Sequence, residues 1–430
     1  MRQTESVQAL ALYLNQQRVG VLTHYASSHN ILTFDPEYAA LPPSVRPILT
    51  LQQVINPHYL QLPLRASMRL PPVLSNLLSE GALRDLMTRT LKLHHDAEFP
   101  LLAYTGGNLP GALIAKPLTL GDIPAWALSA RGERLEAVQI ELRHQADKFS
   151  LAGVQMKFSA QSRDNRFNVS ADTDGDSWII KTPSTIHAHV PENEFTAMTL
   201  AKAIGVEIPE IKLVELSQLD NLPKINLPDE RYAYAIRRFD RGETGRIHTE
   251  DFAQILGVYP HEKYGRYNYE MVAALMYRFG AGGLADVQQM ARRLLANILL
   301  ANGDAHLKNW TMIYRDTLNG RLSPAYDIVT TLPYVAGEDS VALNMAKEKR
   351  WQHIELSTFE RWTERVQIAW PAIAVHLQDA ISTARQIWPS MLEELPMKEE
   401  HKIVLKNHWA SPLFRLPHRC ALALKKRLIV

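Results

Sequence analysis

The sequence predicts an α+β fold of two lobes, a β-rich N-terminal lobe that includes an accessory subdomain and a mainly helical C-terminal lobe. Two observations carry that expectation. Short apolar runs bounded by turn-forming residues dominate 8–35 and 149–240, whereas apolar residues at helical spacing dominate 250–430. In addition, chemistry-bearing residues fall on both sides of this change in pattern, as a site between two lobes requires.

Residues 9–14, 18–23 and 30–34 read as short strands, and 70–97 are richer in helical periodicity. The stretch 104–112, with Gly106, Gly107, Pro110 and Gly111, is loop-like. A boundary is expected near 115–148, where Pro117 and Pro124 precede a charged helix over 133–148. The units expected are therefore 1–148, an N-terminal accessory subdomain with its connecting helix; 149–245, the remainder of the N-lobe; and 246–430, the helical C-lobe.

Segment 149–158 carries one glycine, Gly153, so it matches neither generic phosphate-loop pattern. Residues 177–182 predict a strand closed by Pro183, with Trp178 and Ile180 on one face and Ile179 and Lys181 on the other. Glu194 opens a helix with Phe195, Met198, Ala201 and Ile204 at helical spacing, and Gly205 suits its end. A strand lysine alone reads equally as a residue reaching to solvent. Followed by a helix glutamate, it can form the ion pair that directs an ammonium at nucleotide phosphates.

Downstream, Met290, Leu294, Leu295, Ile298 and Leu299 repeat with helical period, and Gly303 stands where a C′ glycine would end that helix. The loop Asp304-Ala305-His306-Leu307-Lys308-Asn309 follows, and Asn319-Gly320 predicts a hairpin that brings the chain back to Tyr326-Asp327. Phosphoryl transfer needs one carboxylate beside the attacking hydroxyl and oxygen ligands that hold magnesium against the phosphates. Asp304, Asn309 and Asp327 can fill those roles. Any one acidic residue here reads as a turn or helix-cap residue, but the ordered D-x-x-x-x-N and Asp set points to a protein-kinase-like fold.

Those residues resemble the HipA-like serine/threonine kinases, toxins of bacterial type II toxin–antitoxin modules. Ser150 to Lys157 is similar to the family's S-x-x-G-x-Q-x-K loop, Ile180-Lys181 to its lysine strand, and Asn193-Glu194 with Leu200-Ala201-Lys202 to the next helix. Arg238-Phe239-Asp240-Arg241 resembles its R-F-D-R element, Asp304 to Asn309 its D-x-H-x-K-N loop and Tyr326-Asp327 its Y-D pair. In the accessory section the resemblance rests on Val19-Gly20-Val21-Leu22, Leu70-Pro71-Pro72, Asn76-Leu77-Leu78 with Glu80-Gly81, and Gly111-Ala112-Leu113.

The resemblance implies a kinase using ATP and Mg2+, with Asp304 as the general base or hydroxyl-orienting carboxylate and Asn309 and Asp327 as metal ligands. It also implies that Lys181, paired with Glu194, holds the phosphates. Ala152, Gly153, Val154, Gln155 and Lys157 would lie against the nucleotide, together with His306, Lys308 and Tyr326. Arg237, Arg238 and Phe239 would sit beside the adenine, although Arg237 stands where some relatives carry an acidic residue. Ser150 would be an autophosphorylation site whose added charge repels the loop. Implied partners are a HipB-like helix-turn-helix antitoxin, operator DNA reached mainly through it, and a protein substrate, an aminoacyl-tRNA synthetase. Two other readings stay open, a catalytically silent corepressor in an antitoxin–DNA complex and a small-molecule phosphotransferase.

Composition narrows the classes. The 430 residues are 46% hydrophobic, as a globular core requires, and a net charge of +2 is too mild to announce a nucleic-acid binder. Cys420, the single cysteine, excludes an intrachain disulfide framework. The first residues lack a signal-peptide core and no apolar run has membrane-spanning length, so a cytoplasmic protein with no membrane contact is expected. Asp172, Asp174 and Asp176 imitate the start of a calcium loop, but Ser177 and Pro183 occupy its required glycine and glutamate positions. His187 with His189, and His94 with His95, lack a third ligand at recognisable spacing and read as ordinary surface or core histidines. The basic residues Lys347, Lys349 and Arg350, and Lys425 to Arg427, read as solvated helix faces.

Overall fold

The computed structural model describes residues 4–129, 132–141, 156–163, 166–169, 177–223, 225–410 and 413–414. Ser150, Ala152, Gly153, Val154 and Gln155 lie outside the described residues, as do 172–176, Cys420 and 425–427.

Alternating apolar residues build the accessory subdomain around a five-stranded antiparallel sheet in the order Leu64–Ser67, His29–Phe34, Gln17–Tyr25, Ala9–Leu14, Leu113–Leu118. Leu10, Leu12 and Leu14 bury the same face with Leu22 and Leu32, against Leu83 and Met87 of helix Gly81–Leu91 and Phe99 and Leu102 of helix Glu98–Thr105. The charged helix expected over 133–148 is, where described, a strand: Val138–Glu141 pairs antiparallel with Thr4–Val7. Val138 and Ile140 alternate with polar residues at a period of two, and Ile140 packs into the subdomain core, so burial decides against helix.

The next sheet has the order Ile211–Glu215, Tyr232–Arg237, Trp178–Lys181, Lys157–Arg163, Arg166–Val169, Leu219–Asp220. Its strand Trp178–Lys181 sorts its side chains as the alternation predicts. Trp178 and Ile180 join the accessory subdomain's core, Ile179 packs against the C-lobe core, and Lys181 enters the cleft between the lobes.

Helix Val190–Ala203 ends in a Schellman turn, with Gly205 at φ +83° donating to Lys202 O (3.0 Å) and Val206 N donating to Ala201 O (3.2 Å). Its inner face belongs to the large lobe. Ala197, Leu200 and Ala201 lie in the C-lobe core, Trp388 Nε1 donates to Leu200 O (2.9 Å), and Thr196 Oγ1 accepts from Met397 N (3.1 Å).

The C-lobe packs helices Tyr269–Phe279, Gly283–Leu299, Leu356–Val366 and Trp370–Glu394 around one apolar cluster that holds Met290, Leu294, Leu295, Ile298 and Leu299. The turn that ends Gly283–Leu299 places Ala301, not Gly303, in the left-handed region at φ 51°. Ala301 N donates to Ile298 O (3.2 Å) and Asn302 N to Asn297 O (2.8 Å), which closes the helix before Gly303 is reached. A Cβ at Gly303 would come within 2.0 Å of Glu338 Oε1, the end of a flexible side chain that would have to move aside.

The expected hairpin is present, Thr311–Tyr314 pairing with Arg321–Leu322 and, on its other edge, with His248–Asp251. Its bend differs from an Asn-Gly turn. Thr317 takes the positive φ (69°), and the Asp316 carboxylate accepts from Leu318 N (3.0 Å) and Asn319 N (2.7 Å), so an Asx-type turn sets the geometry. Among the described residues no helix is long and apolar enough to cross a membrane.

Replacing Gly205 with alanine forces a Cβ into the left-handed region. We expect Gly205→Ala to lower the urea unfolding free energy by about 1–2 kcal/mol at an unchanged m-value.

Candidate active site

A cleft of about 1150 Å³ separates the two lobes, and Lys157, Lys181, Asp304, Asn309, Tyr326 and Asp327 all line it. Three local structures deliver them. Antiparallel register sets Lys157 directly opposite Lys181 on adjacent strands, so both ammonium groups point from one sheet face. The turn after Gly283–Leu299 presents Asp304, and the hairpin return presents Asp327, whose backbone lies in the left-handed region at φ 53°. Asn302 Nδ2 reaches Asp327 O (3.4 Å), tying these two turns together.

Lys181 is the junction. Its Nζ contacts Glu194 Oε1 at 2.5 Å and also donates to Asp327 Oδ1, although it is only 5% exposed. Burial disfavours the charge on this lysine, yet Asp327 and Glu194 hold its pKa above the ordinary lysine range. Glu194, wholly buried, is pushed up to about 7 by burial despite the adjacent lysine. For Asp327 burial is outweighed by Lys181 and Lys157, which hold it well below the usual carboxylate range, so Asp327 is the firmer counter-ion.

Lys157 differs. Burial pulls its pKa down, and no carboxylate pairs with it among the described residues. A desolvated ammonium facing an open cleft suits an anionic ligand such as a phosphate chain.

Asp304 stands at the cleft mouth with its side chain 52% accessible. Tyr264 Oη donates to its Oδ1 (2.5 Å), and Asn309 Nδ2 donates to its backbone carbonyl (2.8 Å), so the D-x-x-x-x-N interval closes on itself. The walls of the cleft push the Asp304 pKa up, while the Tyr264 hydrogen bond and the Lys263 charge pull it down. His306 is buried behind it, edge-on to Tyr264 at 5.0 Å between ring centroids. Burial, with Lys263 and Lys308 nearby, lowers its pKa to about 3, which keeps the ring neutral. Tyr326 Oη donates to Lys308 O (2.8 Å), and its ring lies 5.7 Å from that of Phe239.

The remaining expected contacts divide. Met156, Arg237, Arg238 and Phe239 line the cleft. The Arg238 guanidinium, however, is turned away into a buried network with Asp240 (2.7 and 2.8 Å) and Ser159 Oγ (3.0 Å), which leaves its backbone to face the cleft. Asp240 also accepts from Gly111 N (2.8 Å), so the R-F-D-R element clamps the accessory subdomain to the hinge. Arg237 is mostly exposed, 3.5 Å from Glu210.

Lys308 likewise points away from the expected nucleotide space. Its Nζ meets Glu80 Oε1 (2.5 Å) and Asn76 O (3.0 Å), and Lys263 Nζ meets Glu80 Oε2 (3.1 Å). Thus one carboxylate of the accessory subdomain bridges two lysines around the Asp304 loop. In the sequence Glu80 carries only the accessory-section resemblance, with no charge role attached, and Lys263 and Tyr264 carry no signal. Glu80 lies more than two hundred residues from Lys308 and carries no periodic signal that would relate them.

Although burial opposes it, Lys308 and Lys263 hold the Glu80 pKa down, from 4.5 to about 2. The stabilisation this represents is complete above pH 4.5 and is lost as pH falls through about 2. At pH 7, Glu80→Gln should therefore cost about 3 kcal/mol in urea denaturation. The gap between variant and parent should narrow steadily from pH 5 to pH 2; a constant gap would contradict the pairing.

Family comparisons agree with this layout. The HipA-like C-terminal domain model matches residues 149–394, and the HipA N-terminal domain model matches residues 10–116. The protein Y4dM of Sinorhizobium fredii is 35% identical over 406 residues, covering 94% of this chain and 96% of its own. The serine/threonine-protein kinase toxin HipA of Shewanella oneidensis is 26% identical over 305 residues, 64% of this chain and 66% of its own. The solved complex of Shewanella oneidensis HipA with HipB and operator DNA contains a chain that superposes with TM-score 0.65 at 19% identity, covering 93% of this chain and 94% of that one, a likeness of fold. With its two-lobed kinase-like architecture and both domain models matched, the chain belongs to the HipA-like family.

Proposed function

We propose that this protein is an ATP-dependent serine/threonine protein kinase that acts as a HipA-like toxin. The observation that carries this reading is Lys181 bridging Glu194 and Asp327 in the cleft that also holds Asp304. Bound ATP would supply the phosphoryl group, and Mg2+ would neutralise charge on its phosphates.

The chain's own residues then have separate tasks. Asp304, half exposed and raised in pKa, accepts or orients the proton of the attacking serine hydroxyl. Asp327 and the side chain of Asn309 hold the metal. Lys181, kept charged by its carboxylates, and Lys157, lacking one, hold the phosphate chain, and the family resemblance assigns Ala152 to Gln155 to the same nucleotide. Phe239 and the backbone of Arg237 and Arg238 line the base end, beside Tyr326. His306 and Lys308 act behind the site, as packing and anchoring groups for the Asp304 loop.

The finer assignments follow from the family resemblance. They are a cytoplasmic setting, a HipB-like helix-turn-helix antitoxin that carries the protein to operator DNA, an aminoacyl-tRNA synthetase as the phosphorylated translation component, and Ser150 as the autophosphorylated residue. The half-exposed Asp304, open to a large cleft, favours a protein acceptor over a silent corepressor, because a purely architectural role places no demand on a carboxylate there.

Asp304→Gln should reduce transfer of radiolabelled phosphate from ATP by about 10²–10⁴-fold while leaving the thermal midpoint in place. Full activity in that variant would exclude the reading. Tyr264→Phe removes a hydrogen bond that lowers the Asp304 pKa. Activity needs the ionised carboxylate and is lost as pH falls through its pKa, so the acid limb of the rate profile should move to higher pH in Tyr264→Phe. Intact mass after incubation with ATP and magnesium tests Ser150: one phosphate fewer is expected for Ser150→Ala than for the parent.

A further inference from the structure

A second cluster of metal-ligating groups lies outside the phosphate-binding cleft, where the connection after Lys181 enters helix Val190–Ala203. His189, Glu192 and Glu230 each offer one ligand atom, and these atoms all lie within 4.8 Å of one another. His189 Nδ1 is 3.3 Å from Glu192 Oε1, and His189 N donates to Glu230 Oε1 (3.2 Å). Ligands about 2.0–2.1 Å from a tetrahedral zinc ion are about 3.3 Å from each other, the separation His189 and Glu192 already have; Glu230, within 4.8 Å of both, would close on the ion by side-chain rotation.

An independent observation points to a missing ligand. Glu192 is only 7% exposed, yet its Oε2 is buried with no hydrogen-bond partner, and Glu230 Oε2 is in the same condition. No lysine or arginine pairs with either carboxylate among the described residues; His189 contacts Glu192, and Tyr334 is a further ionisable group on which both charges act. Two carboxylates sharing one imidazole carry excess negative charge in a place where unpaired oxygens are costly. A divalent cation satisfies both shortages at once.

We propose that His189, Glu192 and Glu230 form a binding site for a divalent transition-metal ion of the zinc class, separate from the magnesium ligands of the cleft. One imidazole nitrogen with carboxylate oxygens is a borderline donor set that suits zinc better than magnesium. Three protein ligands leave a position for water. The site ties the loop before Tyr232–Arg237 to the first turn of the helix that carries Glu194, so its occupancy stabilises the helix end next to the Lys181 ion pair. It does not depend on the phosphotransfer reading, since its ligands and its test involve none of the cleft groups.

Zinc titrated calorimetrically into the purified full-length protein, with 5 mM-order magnesium present to fill hard-cation sites, should show one tight site. His189→Gln and Glu230→Gln should each weaken that site by at least about tenfold, as expected for loss of a metal ligand. The zinc-dependent rise in thermal midpoint should vanish with it, whereas Asn309→Ala, at a proposed magnesium ligand that holds no buried ion pair, should retain both. Because Glu230 is on a half-exposed loop, its variant decides the matter if His189→Gln folds poorly. Absence of zinc binding in the parent protein, unchanged affinity in Glu230→Gln, or loss of the zinc response in Asn309→Ala would each overturn the proposal.

Discussion

The buried ammonium of Lys181 sets the constraint on which the rest of the structure depends. Two carboxylates from different parts of the chain must reach it, Glu194 from the following helix and Asp327 from a turn 146 residues away. With Lys157 opposite Lys181 on the neighbouring strand, two buried ammonium groups face two carboxylates, and losing either carboxylate would leave a net positive charge in a desolvated place. The strand, the helix and the hairpin return are therefore fixed relative to one another by one electrostatic requirement, and the cleft is what remains between them.

The accessory subdomain takes part in this arrangement instead of standing apart from it. Its core continues into the sheet that carries Lys181, through Trp178 and Ile180. Polar contacts reach further, Gly111 to Asp240 at the hinge and Glu80 to the lysines around the Asp304 loop. A perturbation of the subdomain is thus felt at both walls of the cleft. The same economy of charge appears in Arg238 and Lys308, which a motif alone would aim at a nucleotide and which the fold instead commits to holding neighbouring segments together.

Much of this was legible in the sequence because it depends on local periodicity. Alternation across Trp178 to Lys181 places the lysine, helical spacing places Glu194 and the helix before Asp304, and the two-stranded return to Asp327 follows from turn-forming residues. What could not be read depends on tertiary position. The strand at Val138–Glu141 needs Thr4–Val7 as its partner, Ala301 takes the left-handed position because the packed helix ends there, and Asp316 rather than the Asn-Gly pair shapes the hairpin bend. Glu80, Tyr264 and Glu230 gain their meaning only from groups distant in the chain, so no spacing rule could find them.

The indole of Trp388 and the backbone of Met397 fasten helix Val190–Ala203 onto the large lobe. In many kinases the corresponding helix is an allosteric lever, swung inward or outward to make or break the lysine–glutamate pair. Here that lever is bolted to the bulkier half of the molecule, and moving it would tear open the C-lobe core. With that helix fixed, the part of the cleft left free to change is its access and the approach of its two walls.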